Sequence, residues 1–284
     1  MPKLTSRAYV REILERHGLQ PYKKLGQNFL VDENILQKIT AAADLQAGDH
    51  VLEVGPGIGA LTEKLAQKAG YVTALEIDSR LLPLLQETLG RYENITVLHQ
   101  DALHADYGRL CSKGPLKLVA NLPYNIATPL LYRLLKEEWR QCFKLLVCMV
   151  QKEVAERITA VPGGKDYGVL SVVCQYNARA EIIFTVSGNV FYPRPEVTSA
   201  VVGLYPYQET LLQRDEEKLF YRVVEGVFAQ RRKTTLNALQ AALQVSKEEL
   251  AALGRETGID LQRRGETMNI DEFATLARFL YNRR

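Results

Sequence analysis

Apolar residues along this chain recur in two rhythms, and the change between them divides it. Short aliphatic runs at 50–54, 71–76, 95–99, 116–120 and 143–150 have the length and β-branched content of strands. Between them, apolar stripes at helical spacing cover about 33–43, 60–68, 80–89 and 128–136, the first preceded by Asp32 as an N-cap. Strands alternating with helices predict an α/β fold whose mostly parallel sheet is covered on both faces. Two later strand candidates, 179–186 and 200–204, flank a proline-rich crossing, Phe191-Tyr192-Pro193-Arg194-Pro195. Paired as a hairpin, they place an antiparallel strand at the sheet edge. From about residue 206 onward only the helical rhythm remains, over 215–228, 234–243, 247–253 and 271–281. The expectation is an α/β domain over 1–205 followed by a small all-helical C-terminal domain over 206–284.

Composition changes this picture little, and charge distribution changes it more. A chain of 284 residues can bury a sizeable core. Its longest apolar run, Leu145 to Val150, is too short to span a membrane, so no membrane partner is expected. The opening Met1-Pro2-Lys3-Leu4-Thr5-Ser6-Arg7 lacks the apolar core of a signal peptide, and a cytoplasmic location is expected. Cys111, Cys142, Cys148 and Cys174 have neither paired nor metal-like spacing, which predicts reduced thiols and no metal site. The net charge of +3 is small, but the cations cluster. Lys3, Arg7, Arg11, Arg16, Lys23 and Lys24 face only Glu12 and Glu15 within the first 30 residues, and Arg231-Arg232-Lys233, Arg263-Arg264 and Arg283-Arg284 follow. Any one cluster fits a solvated helix face; several together favour a polyanion.

Chemistry concentrates at the ends of the predicted strands. Glu53-Val54-Gly55-Pro56-Gly57-Ile58-Gly59 joins the first long strand to a helix, with glycines at 55, 57 and 59 where a backbone can approach a ligand. Gly55-x-Gly57-x-x-Ala60 also fits a dinucleotide loop, and Glu76, ending the next strand, suits the ribose hydroxyls of either cofactor class. Two residues favour S-adenosylmethionine. Glu53 puts a carboxylate where a cationic sulfonium or ammonium would lie, and Asp101 can accept from an adenine amino group, although by itself it also reads as a helix cap. No Lys or Arg in the loop awaits a pyrophosphate. The fold expectation sharpens to a Rossmann-like S-adenosylmethionine-dependent methyltransferase core.

Downstream, Asn121-Leu122-Pro123-Tyr124 follows the strand at 116–120. Alone these four residues fit any Asn-initiated turn with a core tyrosine. Behind the glycine loop they suit a harder task. An aromatic amino group is a poor nucleophile because its lone pair is delocalised into the ring. Hydrogen bonds from both its N–H groups, to the Asn121 side-chain oxygen and the Leu122 carbonyl, draw the nitrogen toward a tetrahedral geometry. Pro123 stiffens the turn, Tyr124 offers a ring face, and Phe191 is the candidate for the opposite face of the base. No strong base is needed, so catalysis is chiefly positioning and electrostatics.

These motifs, together with Lys24-Leu25-Gly26-Gln27-Asn28-Phe29-Leu30, Leu75-Glu76-Ile77-Asp78, Gln100-Asp101-Ala102, Gln151 to Arg157, Phe191 to Ala200 and Phe228 to Thr234, run nearly end to end. The chain closely resembles the ribosomal RNA adenine N6-dimethyltransferase family, and within it the branch acting on the small subunit. That resemblance implies that Asn28, Leu30, Gly55, Glu76, Asp101 and Asn121 contact S-adenosylmethionine, and that Gln27 to Leu30 form a lid over it. Gln27, Glu53, Gly57, Gly59, Ile77 and Ala102 complete the expected cofactor set. It further implies dimethylation of two adjacent adenosines in a hairpin loop near the 3′ end of 16S rRNA, within the small ribosomal subunit or its precursor. The helical domain is expected to engage the RNA, with Arg231, Arg232 and Lys233 contacting phosphates. A monomer is the simplest expectation. Leu25 stands where many relatives carry Phe or Ala.

Three other readings compete. A sister group methylates an adenosine of 23S rRNA and confers macrolide resistance from the same core. A ribosome-assembly or transcription factor can keep the fold and lose turnover, which the intact Asn121 and Tyr124 oppose. A dinucleotide oxidoreductase is disfavoured by the 121–124 turn.

Overall fold

The computed structural model describes residues 3–22 and 25–283. Lys23 and Lys24 of the amino-terminal basic cluster and Arg284 at the end of the chain lie outside the described residues. In chain order the first elements are α1 (Arg7–Arg16), β1 (Phe29–Leu30), α2 (Glu33–Ala42), β2 (His50–Val54), α3 (Ala60–Ala66) and β3 (Tyr71–Glu76). Then come α4 (Leu82–Leu89), β4 (Ile95–His99), α5 (Tyr107–Leu110), β5 (Leu116–Asn121), α6 (Ala127–Leu135) and β6 (Phe143–Gln151). The remainder comprises α7 (Lys152–Ile158), α8 (Val169–Asn177), β7 (Ala178–Val186), β8 (Phe191–Tyr192), β9 (Ser199–Pro206), α9 (Arg214–Ala229), α10 (Thr235–Leu243), α11 (Lys247–Thr257) and α12 (Ile270–Tyr281). Among the described residues no helix is long and apolar enough to cross a membrane.

The local rules that start these helices are visible in the side chains. Asp32 accepts the Ile35 N–H (3.0 Å) and turns Leu36 and Ile39 inward, while Ser6 caps α1 and buries Val10, Ile13 and Leu14. α1 was not anticipated, because the charges of 1–30 obscure its short apolar stripe. Residues 79–81 form a 3-10 turn, and the helix expected from 80 begins at Leu82.

The main sheet, among the described residues, has seven strands in the order β4-β3-β2-β5-β6-β9-β7. β2 pairs in parallel with β3 and β5, β3 with β4, and β5 with β6. β9 runs antiparallel to β6, from Leu146 opposite Leu204 to Gln151 opposite Ser199. The two late strands are sheet neighbours, but β9 takes the inner place and β7 the edge. Burial explains the choice: Ser199 to Leu204 are all buried, whereas β7 alternates with partly exposed positions. The chain between them does not make a tight hairpin; β8 instead pairs antiparallel with β1, Phe29 opposite Tyr192 and Leu30 opposite Phe191. At the amino ends of the strands, the buried Asp49 carboxylate binds Lys117 (2.8 Å) and Lys144 (2.5 Å), tying β2, β5 and β6 together.

The chain divides into two compact units. One holds residues 1–134, 138–155 and 180–206; the other holds 135–137, 156–179 and 207–284. The second is helical, and the segment Glu156–Arg179, early in chain order, clusters with it. Its centre is aromatic: Tyr176 of α8 stacks on Phe220 of α9 (4.1 Å between centroids). The buried Asn177 side chain and the Tyr221 hydroxyl are paired, with Asn177 Nδ2 donating to the hydroxyl (3.0 Å) and the hydroxyl lying within donating distance of Asn177 Oδ1 (3.2 Å). Capping boxes open α11 at Ser246 and α12 at Asn269.

Candidate active site

Sheet order creates the site. After β2 the chain builds outward through β3 and β4, then returns to place β5 on the other side of β2. Ligands of open α/β sheets bind where this reversal opens a crevice at the carboxyl ends of the strands. A cavity of about 310 Å³ lies there, walled by the segments that follow β2, β3, β4 and β5 and by residues 25–30.

The glycine loop lies against two neighbours at once. Gly55 (φ +71°) and Gly57 (φ +60°) take left-handed backbone conformations. A Cβ on Gly55 would stand 3.0 Å from Pro123, and one on Gly57 would stand 3.0 Å from the Phe29 ring. The loop is thus shaped to admit the 121–124 turn on one side and residues 25–30 on the other. Gly26 (φ +64°) makes the matching approach to the Tyr124 N–H and the Asn125 side chain.

Asn121 is held in a defined orientation. Its Nδ2 donates to the Asn28 carbonyl (3.2 Å), an oxygen that can only accept. The Asn121 Oδ1 is therefore left as an acceptor at the cavity, which Asn121 lines. Leu122 is buried, and its N–H donates to the Met149 carbonyl (3.0 Å), tying the turn to β6. Tyr124, half-buried, shares a 2.8 Å hydrogen bond between its hydroxyl and that of Ser199 on β9. Burial pushes the phenol above its usual range.

Three carboxylates face the cavity in different environments. Glu53 is 1% exposed, and its Oε2 has no hydrogen-bond partner. Burial pushes this carboxyl up to about 8; the nearby Thr62 hydroxyl opposes the rise and the Glu76 charge adds to it. Glu76 is also raised by burial, opposed by backbone N–H groups that include Asp78 (2.8 Å to Oε1). Asp101 caps a 3-10 turn by accepting the Leu103 N–H (2.8 Å), and its second oxygen meets the exposed His104 ring (3.0 Å). Besides capping this turn, Asp101 lines the cavity. Among the described residues no group of three or more His, Cys, Asp or Glu is placed to hold a metal ion.

The match to known proteins is extensive. The family model for ribosomal RNA adenine dimethylase covers residues 18–281. The chain belongs to the ribosomal RNA adenine dimethylase family. It is 47% identical over 278 residues to a ribosomal RNA small subunit methyltransferase A from Geobacillus sp. (strain WCH70), covering 95% of each chain. A protein of the same name from Clostridium botulinum (strain Loch Maree / Type A3) is 46% identical over 273 residues, covering 96% of this chain and 98% of that one. Among solved structures, a dimethyladenosine transferase from Plasmodium falciparum matches with a TM-score of 0.77 at 27% identity, covering 89% of this chain and 97% of that one. The 23S rRNA methyltransferase ErmE matches with a TM-score of 0.68, also at 27% identity, covering 89% of this chain and all of that one.

In this member of the dimethylase family the cavity gathers Gln27, Asn28, Leu30, Glu53, Gly55, Gly57, Glu76, Ile77, Asp101, Ala102, Asn121, Leu122, Pro123 and Tyr124. Two expected site residues lie elsewhere. Gly59 is not in the wall: it precedes α3 at φ +89°, and a Cβ there would meet Leu89 at 2.9 Å, so close packing is its role here. Phe191 was expected to offer a ring face to a base, but it is fully buried in the hydrophobic core, held in β8 opposite Leu30. Within the helical unit, Arg231, Arg232 and Lys233 are exposed in the turn between α9 and α10. Arg231 is already engaged, donating to the Lys165 carbonyl (3.0 Å) and facing Glu266 (3.6 Å). Arg263 is likewise engaged with Glu272 (2.7 Å). The expected site residues did not include Ser199 or Gly26, both of which contact the 121–124 turn. Gly26 takes a positive φ, which favours glycine, whereas Ser199 matters through a contact distant in the chain.

Proposed function

We propose that the cavity binds S-adenosylmethionine and that the chain methylates N6 of two adjacent adenosines in a 3′-terminal hairpin loop of 16S rRNA, yielding N6,N6-dimethyladenosines. The residues present fit the cofactor. Gly55 and Gly57 form a cradle that a Cβ would fill. Glu76, at the end of β3, is buried beside the loop, as a partner for ribose hydroxyls should be. Glu53 presents a buried oxygen with no partner, suited to a cationic group. Asp101 and Ile77 line the cavity, and as an acceptor and an apolar side chain they suit an adenine ring. When bound, S-adenosylmethionine supplies an electrophilic methyl group on a sulfonium.

The observation that carries the reading is the fixed Asn121 amide beside that cradle. Asn28 occupies the amide nitrogen, so Oδ1 accepts an N6–H hydrogen bond without first reorienting. The Leu122 carbonyl accepts the second N6–H, Pro123 keeps the two acceptors in step, and the Tyr124 ring supports the base. The turn concentrates electron density on N6, and the proton lost from the methylated amine passes to solvent without a strong base. RNA phosphates meet the exposed Arg232 and Lys233, with Arg231 contributing less because it is partly engaged. The small-subunit substrate is favoured over 23S rRNA by identities of 46–47% across nearly the whole of relatives named for the small subunit. A soluble, cytoplasmic monomer and a further part in small-subunit assembly belong to the same proposal.

The test uses purified protein, labelled S-adenosylmethionine and small subunits from cells lacking the dimethylation, followed by RNA digestion. Dimethyladenosine in 16S rRNA is the expected product; label in 23S rRNA, or none, overturns the assignment. Asn121→Ala is expected to lower turnover by on the order of 10²–10³-fold while retaining part of the cofactor affinity. Near-normal turnover by that variant would remove Asn121 from its role.

A further inference from the structure

Gln27 lies at the cavity, yet its amide is engaged at both ends by protein. Its Oε1 accepts the Tyr22 N–H (2.8 Å), and its Nε2 donates to Asp78 Oδ2 (3.0 Å). Asp78 is itself buried and receives Arg80 in a fork, Nε on Oδ1 (2.8 Å) and Nη2 on Oδ2 (2.7 Å). The Arg80 guanidinium lies over the Tyr22 ring, 5.1 Å from its centroid, which closes a circuit back to the residue that Gln27 holds. On its backbone side, the Asp78 N–H donates to Glu76 Oε1 (2.8 Å). One residue therefore grips the 25–30 segment with its side chain and the expected ribose-binding carboxylate with its main chain.

The 25–30 segment needs such a grip. Its carboxyl end is fastened by the two-residue pairing of β1 with β8 and by the Val31 N–H to the Val190 carbonyl (2.8 Å). Between that fastening and Gln27 lies Asn28, whose carbonyl orients Asn121, and the first residue of the fastening itself, Phe29, packs on Gly57. A strap fixed at β1 alone would hold Phe29 but let Asn28 drift.

We propose that Asp78 is a positioning residue that clasps this segment through Gln27, so that the place of the segment at the cavity and the orientation of Glu76 are set together. The inference rests on the reading that the cavity holds S-adenosylmethionine. Asp78 also caps the 3-10 turn at 79–81 by accepting the Arg80 N–H (3.2 Å), which alone would make it a purely structural residue. Gln27 takes no part in that cap, so variants at Gln27 separate the two roles.

The experiment measures S-adenosylmethionine affinity and dissociation rate by calorimetry and label exchange on the full chain, with the melting temperature of each cofactor-free protein alongside. Gln27→Ala is expected to bind about tenfold more weakly, the scale of one charge-assisted hydrogen bond, mainly through faster dissociation and with an unchanged melting temperature. Asp78→Asn is expected to lose at least as much, and the double variant to be no weaker than the weaker single variant, because both break one clasp. Gln27→Ala binding within about twofold of wild type, or additive losses in the double variant, overturns the clasp. Failure of the wild-type protein to bind S-adenosylmethionine overturns the cofactor reading and the clasp with it.

Discussion

Glu53 is expected to change its protonation when a cation fills the cavity. Buried without a partner for Oε2 and raised to about 8, it is expected to carry its proton at neutral pH when no cation is near. A cationic ligand favours the ionised form, so binding must release that proton below the raised value. S-adenosylmethionine affinity is therefore expected to rise with pH by up to about tenfold per unit, levelling off near 8. Glu53→Gln should flatten most of that slope in a calorimetric titration, with Glu76, raised in the same direction, supplying the remainder. Stability of the cofactor-free protein moves the other way. Between the ordinary glutamate value of 4.5 and about 8 the folded state holds more protons than the unfolded one, so this residue's contribution falls as pH rises. A wild-type affinity that ignores pH across this range would mean that Glu53 does not face the cation.

Among the elements, the 121–124 turn matters through what clamps it. The glycine loop touches Pro123, Asn28 holds Asn121, β6 holds Leu122, and the first residue of β9 holds Tyr124. Gly55→Ala forces a side chain into a left-handed conformation and against Pro123. It should destabilise the protein by about 1–2 kcal/mol in denaturant unfolding and lower turnover more than its stability loss explains. Ser199→Ala removes the hydroxyl that fixes the Tyr124 ring. The expected loss is about fivefold in kcat, the worth of one neutral hydrogen bond, with cofactor affinity unchanged. Tyr124→Phe should cost the same and the pair no more; additive losses in the double variant would show that the two hydroxyls do not act together.

At the scale of the whole molecule, chain order and spatial order part company. Residues 156–179 precede β9 and end in the first two residues of β7, yet they cluster with residues 207–284. α8 buries Val172, Val173 and Cys174 and stacks Tyr176 on Phe220 of α9. A chain ended after Pro206 would leave that apolar surface uncovered. Such a truncation is expected to aggregate or to bind a hydrophobic dye rather than melt cooperatively. A cooperative transition close to that of the full chain would show that 156–179 can fold without the helices after 206.

Much of this was decided locally. The alternation of strands and helices, the glycine loop directly after β2 and the acidic residues ending the next strands are readable from the chain because each depends on neighbours a few positions away. Period-2 and period-3.6 patterns, caps and positive-φ glycines are short-range devices. The 121–124 turn was legible as a turn at a strand end for the same reason. What tertiary structure decided involves partners far apart in the chain. It put β9 inside the sheet, withdrew Phe191 into the core, drew 156–179 into the helical unit, and used Asn28, Ser199 and Asp78 to hold the site from three directions. None of these contacts leaves a periodic trace, because a hydrogen bond or a buried face constrains the position of a residue in space and not its spacing in the sequence.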